Sequence, residues 1–264
     1  MAVLPIAALL MPVLLTASTH AFGGEQIDLS RFTRTFTEDF DHLDVSARGP
    51  GTRWIARVPW GGNFGRAAFV GPTSGFPFTT DNGILRIEAR QDEDGKWRSG
   101  LLASVDPSGQ GFSQQYGYFE MRAKLPPGDG VWPAFWLIGI DRSSHTAEID
   151  VIEHHGHAQG RYTSTVHVWD RSDRKKSRSV YQRNPVPPGS LYDRFNTYGV
   201  SIDPTWIRFF FNREEVWRTQ TPDQHRQPMY ILLNLGLGGG FSTASTPNPS
   251  YMYVDYIHAY LPKE

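Results

Sequence analysis

The feature that most limits how this chain can fold is a two-residue hydrophobic period that returns in segment after segment, with turn residues between. In residues 116–125, Phe119, Met121, Ala123 and Leu125 fall on one face while Glu120, Arg122 and Lys124 fall on the other. Phe36 and Phe40 likewise share a face, with Glu38 between them. The Asp81-Asn82-Gly83 turn signal leads into a strand at 84–90. Further strands are predicted at 96–105, 131–140, 147–155, 162–170, 195–203, 206–220, 229–237 and 251–261, with long loops over 48–75. No helical period competes, and no repeat or linker divides the chain. Roughly a dozen strands separated by turns predict an all-β fold with two packed sheets. Twenty-six Gly and 19 Pro supply the turns, and 264 residues suit one sandwich domain.

One strand is chemically anomalous. Glu148-Ile149-Asp150-Val151-Ile152-Glu153 places three acids in an apolar, β-branched run. Positions two apart share a face, so Glu148 and Asp150 point together. Strict alternation sends Glu153 to the other side, and one extra residue near Val151-Ile152, a β-bulge, returns it. Burying carboxylates among Ile and Val is costly. Two acids on one face, with pKa values driven apart by crowding, are what cleavage of a glycosidic bond requires. A solvated edge strand and a metal-ligand strand are the alternatives. Metal catalysis fits poorly, because His154 and His155 of Glu153-His154-His155-Gly156-His157 face opposite ways.

Around the hexad lie candidate substrate contacts. Trp132 and Trp136, four apart, share a strand face, and flat indoles suit the C–H faces of sugars. Core packing is the competing role, strongest for Trp136. Trp54, Trp60 and Asn63 in the 48–75 loops are weaker candidates. His167, on the next strand, is expected beside Asp150 or Glu153, or else on the bland surface. Asn234, in an apolar strand, needs partners if buried, and either reaches the groove or pairs with backbone. The basic run 171–178 is a solvated loop or a feature favouring an acidic polysaccharide.

A net charge of −1 gives no field for nucleic acid, and the absence of Cys excludes disulfides and thiolate metal sites. Residues 1–21 read as a secretory signal, too short and too interrupted by Pro5 and Pro12 for a membrane anchor. The expected product is a secreted or periplasmic monomer with no membrane attachment, a single catalytic domain over 22–264.

Three motifs occur in order: Tyr116-Gly117-Tyr118-Phe119-Glu120-Met121-Arg122-Ala123-Lys124-Leu125-Pro126, Val131-Trp132-Pro133-Ala134-Phe135-Trp136-Leu137 and the acidic hexad. With them, and with Tyr253-Val254-Asp255-Tyr256-Ile257 near the end, the chain resembles glycoside hydrolase family sixteen. The resemblance implies a β-jelly roll of the concanavalin-like kind with a concave groove, and retaining endo-cleavage of β-linked polysaccharides without a catalytic cofactor. It implies Glu148 as nucleophile, Asp150 as its assistant and Glu153 as acid/base. The two residues between Asp150 and Glu153 match laminarinase-like and agarase-like members; lichenase-like members carry one fewer. It also implies a structural calcium at Asp255, with backbone carbonyls near Asp39 and Gly83. Leu101 follows Ser99-Gly100 where many laminarinase-like members carry Arg, which points away from plain laminarin. The stretch from Glu153 to His167 looks more like bacterial enzymes that trim exopolysaccharides. A lectin-like binding module and a transglycosylase are the other functions this scaffold accommodates.

Overall fold

The structure, a computed structural model, describes residues 24–263; the signal segment expected at 1–21 lies outside them. Two antiparallel-dominated sheets pack face to face in a jelly-roll sandwich. The inner sheet runs, in spatial order, Arg178–Pro185, Arg161–Asp170, His145–Glu153, Val131–Gly139, Met229–Leu237, Leu101–Ala103, Trp54–Ile55 and Val45–Ser46. The outer sheet runs Glu214–Gln220, Trp206–Phe211, Asn196–Ile202, Gly117–Lys124, Ser250–Pro262, Ile84–Gln91, Trp97–Ser99 and Ala68–Phe69, with Phe32–Glu38 on the far side of Ser250–Pro262. No helix among the described residues is long and apolar enough to cross a membrane.

Alternation sorts the inner sheet into two faces. Phe135, Leu137, Ile149, Val166, Leu233 and Leu235 point into the space between the sheets and join Phe119, Met121 and Ile257 from the outer sheet in the main core. Ala134, Trp136, Ile138, Leu232 and Leu101 point the other way, toward the groove, forming a second cluster. The acidic strand sits between two long partners, so its backbone is held on both edges.

Three expectations need correcting, and one strand goes unpredicted. Residues 96–105 are not one strand: Trp97–Ser99 belongs to the outer sheet and Leu101–Ala103 to the inner one. The break is at Gly100, where a Cβ would stand 2.5 Å from Phe78 Cε1 and 2.8 Å from Ile87 Cγ2, so only glycine lets the chain cross. Residues 206–220 form a hairpin, turning at Asn212 and Arg213, whose φ values are 49° and 67°. Arg178–Pro185 is a strand although its sequence shows no apolar alternation, because it is an edge strand with most side chains in solvent. Trp54 is fully buried and donates through Nε1 to Glu38 Oε2 at 2.8 Å, so it belongs to the core and not to the groove.

Candidate active site

The bulge is present where the acids require it. Against Val131–Gly139, Glu148 faces Ile138, Asp150 faces Trp136 and Glu153 faces Ala134. Three residues from Asp150 to Glu153 thus span two residues on the neighbour. Against Arg161–Asp170, Asp150 faces Thr165 and Glu153 faces Thr163, the same two-step interval. Val151 and Ile152 are both buried in the core, which is the two-against-one arrangement of a bulge. All three carboxylates therefore line one groove, a cavity of about 530 Å³ bordered also by Trp60, Asn63, Phe64, Trp132, Trp136, Trp169, Arg174 and Asn234.

Each acid has its own partners. Trp169 Nε1 donates to Glu148 Oε2 at 3.1 Å. His167 Nε2 stands 3.1 Å from Asp150 Oδ2, and its Nδ1 is 2.5 Å from Ser179 Oγ, which fixes the ring. His167 and Trp169 stack, with centroids 4.5 Å apart and planes 18° apart. Trp132 Nε1 donates to Glu153 Oε1 at 3.0 Å. From below, buried His225 donates through Nε2 to the Glu148 carbonyl at 3.1 Å, anchoring the strand under the first acid.

Burial dominates the protonation of this trio. It pushes Glu148 up to about 8, helped by the Asp150 charge and opposed by His167 and the Trp169 N–H. Asp150, 5% exposed, is driven well above the carboxylate range by burial and then by Glu153. Burial also raises Glu153, while the Trp132 N–H and His167 pull it back. Three acids in so dry a site cannot all ionise, so protons stay in the cluster near neutral pH. That gives the groove both a proton donor and a poised carboxylate on one face, the pairing that acid-assisted nucleophilic cleavage uses.

The groove collects most of the expected contacts and assigns them different duties. Trp132 is half-buried, stacks on His155 and touches Phe64, offering an indole to the cavity while steering Glu153. Trp136 is nearly buried; its Nε1 donates to Asn234 Oδ1 at 2.9 Å. Asn234 is fully buried and reaches the Trp132 carbonyl with Nδ2, so it positions both tryptophans and borders the cavity as well. Trp60 is 44% exposed, edge-on to Trp136, with Arg142 stacked 3.9 Å from its ring. Asn63 accepts from the Phe69 N–H at 2.8 Å, a loop-holding bond, and lines the groove beside it. The expectations missed Trp169, although it lies two residues from His167 on the same strand face. Phe64 and His225, placed by loop packing and a short 3₁₀ turn, carry no sequence signal of their role.

Metal readings fare differently. Glu148, Asp150 and His167 bring ligand atoms within 4.8 Å of one another; His167 is engaged with Asp150, and Glu148 accepts instead from the Trp169 N–H. Among the described residues His154, His155 and His157 form no three-ligand group: His154 Nδ1 bonds the Arg161 carbonyl, His155 stacks on Trp132, and His157 packs on His155 and Phe241. For the structural calcium, the Asp39 carbonyl lies 3.4 Å from where a Gly83 Cβ would stand, so those two are neighbours. Yet the Asp39 carboxylate is held by His258 at 2.6 Å, and the Asp255 carboxylate is ion-paired with Arg122. The guanidinium already neutralises the negative charge that Asp255 would offer a cation, so these donors do not fit calcium as arranged.

Comparison with known proteins gives a consistent picture. The family model described as glycosyl hydrolases family 16 matches residues 76–258. Among curated proteins, the endo-1,3-1,4-beta-glycanase ExsH of Rhizobium meliloti is 32% identical over 260 residues, covering 89% of this chain and 53% of that protein. A second, EglC of the same organism, is 32% identical over 257 residues with the same coverage. The chain spans about half the length of these relatives. Among solved structures, the catalytic domain of a laminarinase from Thermotoga petrophila superposes with a TM-score of 0.68 at 24% identity, covering 88% of this chain and 99% of that one.

Proposed function

The chain belongs to glycosyl hydrolase family 16, and from that premise we propose that it is a secreted, monomeric, retaining endo-β-glycanase acting on β-1,3/1,4-linked polysaccharide, an exopolysaccharide among the substrates. The observation that carries the reading is the bulge at Val151-Ile152, which turns Glu153 onto the groove face beside Glu148 and Asp150. The related endo-1,3-1,4-beta-glycanases support the linkage class.

In this reading a sugar chain lies along the groove against Trp132 and Trp60. Glu148 attacks the anomeric carbon as its bond to the bridging oxygen breaks, and Glu153 gives its proton to that oxygen. The result is a glycosyl ester on Glu148 and an ionised Glu153. Glu153 then takes a proton from water as the water oxygen attacks the same carbon, releasing Glu148 and restoring the starting configuration. Asp150, held by His167, keeps a proton within reach of both glutamates and limits the net charge of the trio. The Trp169 N–H favours the ionised nucleophile, and the Trp132 N–H orients the acid.

Release of reducing ends from mixed-linkage β-glucan, measured for wild type and Glu148→Gln, tests the proposal. Wild type releases them; the variant still binds the polysaccharide but its turnover falls by about four orders of magnitude or more. Binding without turnover in the wild type would instead indicate a lectin-like module.

A further inference from the structure

One corner of the groove carries charge that the cleavage chemistry leaves unused. Three loops meet there: 58–64, the turn between Val131–Gly139 and His145–Glu153, and the turn between Arg161–Asp170 and Arg178–Pro185. The last two are tied together by the Arg171 N–H on the Ser144 carbonyl at 3.1 Å. They present Arg142, Arg171, Arg174, Lys175 and Lys176, and among the described residues no carboxylate forms an ion pair with any of these five side chains. The acids of the same loops are committed locally. Asp170 accepts from Ser172 and from the Asp173 N–H and pairs with His145. Asp173 caps the 3₁₀ turn Arg174–Lys176 through the Lys175 N–H, and Asp141 accepts from the Ser143 N–H.

One of the basic residues lines the catalytic cavity and a second stacks on a residue that does. Arg174 lines it together with Glu148 and Trp169. Arg142 lies flat on Trp60, another lining residue, with Nε 3.3 Å from Thr146 Oγ1. Arg142 and Arg171 are close enough to repel one another. Five basic side chains are gathered beside a sugar-binding groove with no ion-pair partner among the described residues, only the more distant charge of Glu148 acting on Arg142, an arrangement that an incoming anion would relieve. A guanidinium offers a planar fork matched to the oxygens of a carboxylate or sulfate.

We infer that this corner recognises an anionic polysaccharide, and that Arg174 binds a carboxylate or sulfate ester carried by the chain close to the bond that is cleaved. The inference rests on the glycanase reading and narrows its substrate class. Arg142 holds Trp60 as the stacking platform beside that anion, and Lys175 and Lys176 add attraction at the rim.

The test uses mixed-linkage β-glucan in three forms: unmodified, lightly carboxymethylated and lightly sulfated to the same degree. For each, kcat/KM is measured with the full chain and with Arg174→Gln and Arg174→Glu, and binding of the same chains is titrated on Glu148→Gln with and without the Arg174 changes. The expected result is a fall of about tenfold in the anionic-to-neutral ratio of kcat/KM for Arg174→Gln, and a larger one for Arg174→Glu. The same ordering should appear in binding and fade at about 0.5 M salt. The form that loses more identifies the anion as carboxylate or sulfate. An unchanged ratio, in turnover and in binding, overturns the inference. If the wild type cleaves none of the three, the glycanase reading fails, while the binding titration still decides whether Arg174 holds an anion.

Discussion

At the scale of single residues, what distinguishes the three acids is the group that touches each. Glu148 and Glu153 are the same side chain in the same dry groove, and burial raises both. The Trp169 N–H belongs to one and the Trp132 N–H to the other. Replacing Trp169 by Phe keeps a ring for His167 to stack on and removes only the donor. That donor favours ionised Glu148, so its loss raises a pKa that already stands at about 8. In the proposed mechanism Glu148 attacks as a carboxylate, so the ascending limb of kcat/KM against pH should move up by about one unit, since a charge-assisted bond is worth roughly 1.5–3 kcal/mol and one unit is 1.36 kcal/mol. Activity then falls roughly tenfold below the limb and little above it. A pH profile with its limb unmoved would show that Trp169 does not act on Glu148. Spacing gave Glu148 and Asp150 one strand face, required a bulge for Glu153, and left His167 either beside them or on the surface; the structure brings all four together, with Trp132, around one groove. Trp169 was legible in principle, as the residue two beyond His167, but its hydrogen bond runs diagonally to a strand neighbour and no single-strand pattern displays that.

At the scale of elements, the bulge converts a three-residue gap into a two-residue step matching both flanking strands. Val151 is therefore the residue that face selection could spare. Deleting it leaves Glu-Ile-Asp-Ile-Glu, whose plain alternation already puts all three acids on the groove face. The deletion loses the burial of one Val, a cost of about 1–3 kcal/mol, and should yield a folded protein that still cleaves at a reduced rate. A folded deletion variant with no cleavage would mean that the bulge sets more than the face, and that the alternation argument is incomplete. The sequence disclosed this element because acids interrupting a β-branched run have no cheap structural explanation. It did not disclose Arg178–Pro185, since an exposed edge strand has no buried face to imprint a period. Nor did it separate Trp97–Ser99 from Leu101–Ala103, because a crossing between sheets is marked only by Gly100 and by its close neighbours Phe78 and Ile87, which are distant in sequence.

At the scale of the whole molecule, one sheet supplies the floor of the groove and the other closes the core beneath it. Alternation does both jobs at once: Phe135, Ile149 and Leu233 hold the sheets together while Trp136, Asp150 and Asn234 on the same strands face the cavity. The loops are where the sequence reading thins, since Trp60, Phe64 and Arg174 reach the groove through turns whose course depends on tertiary contacts. The central claim is that Glu148 and Glu153 face one cavity in separate roles, nucleophile and acid/base. Azide rescue with an activated aryl β-glycoside tests it most directly, reading the anomeric configuration of the product by NMR. With Glu148→Gly, azide takes the place of the missing nucleophile and the product should be the α-glycosyl azide. With Glu153→Ala, the ester on Glu148 still forms and azide should displace it to give the β-glycosyl azide. The reverse pair of products, or the same configuration from both variants, would contradict the account.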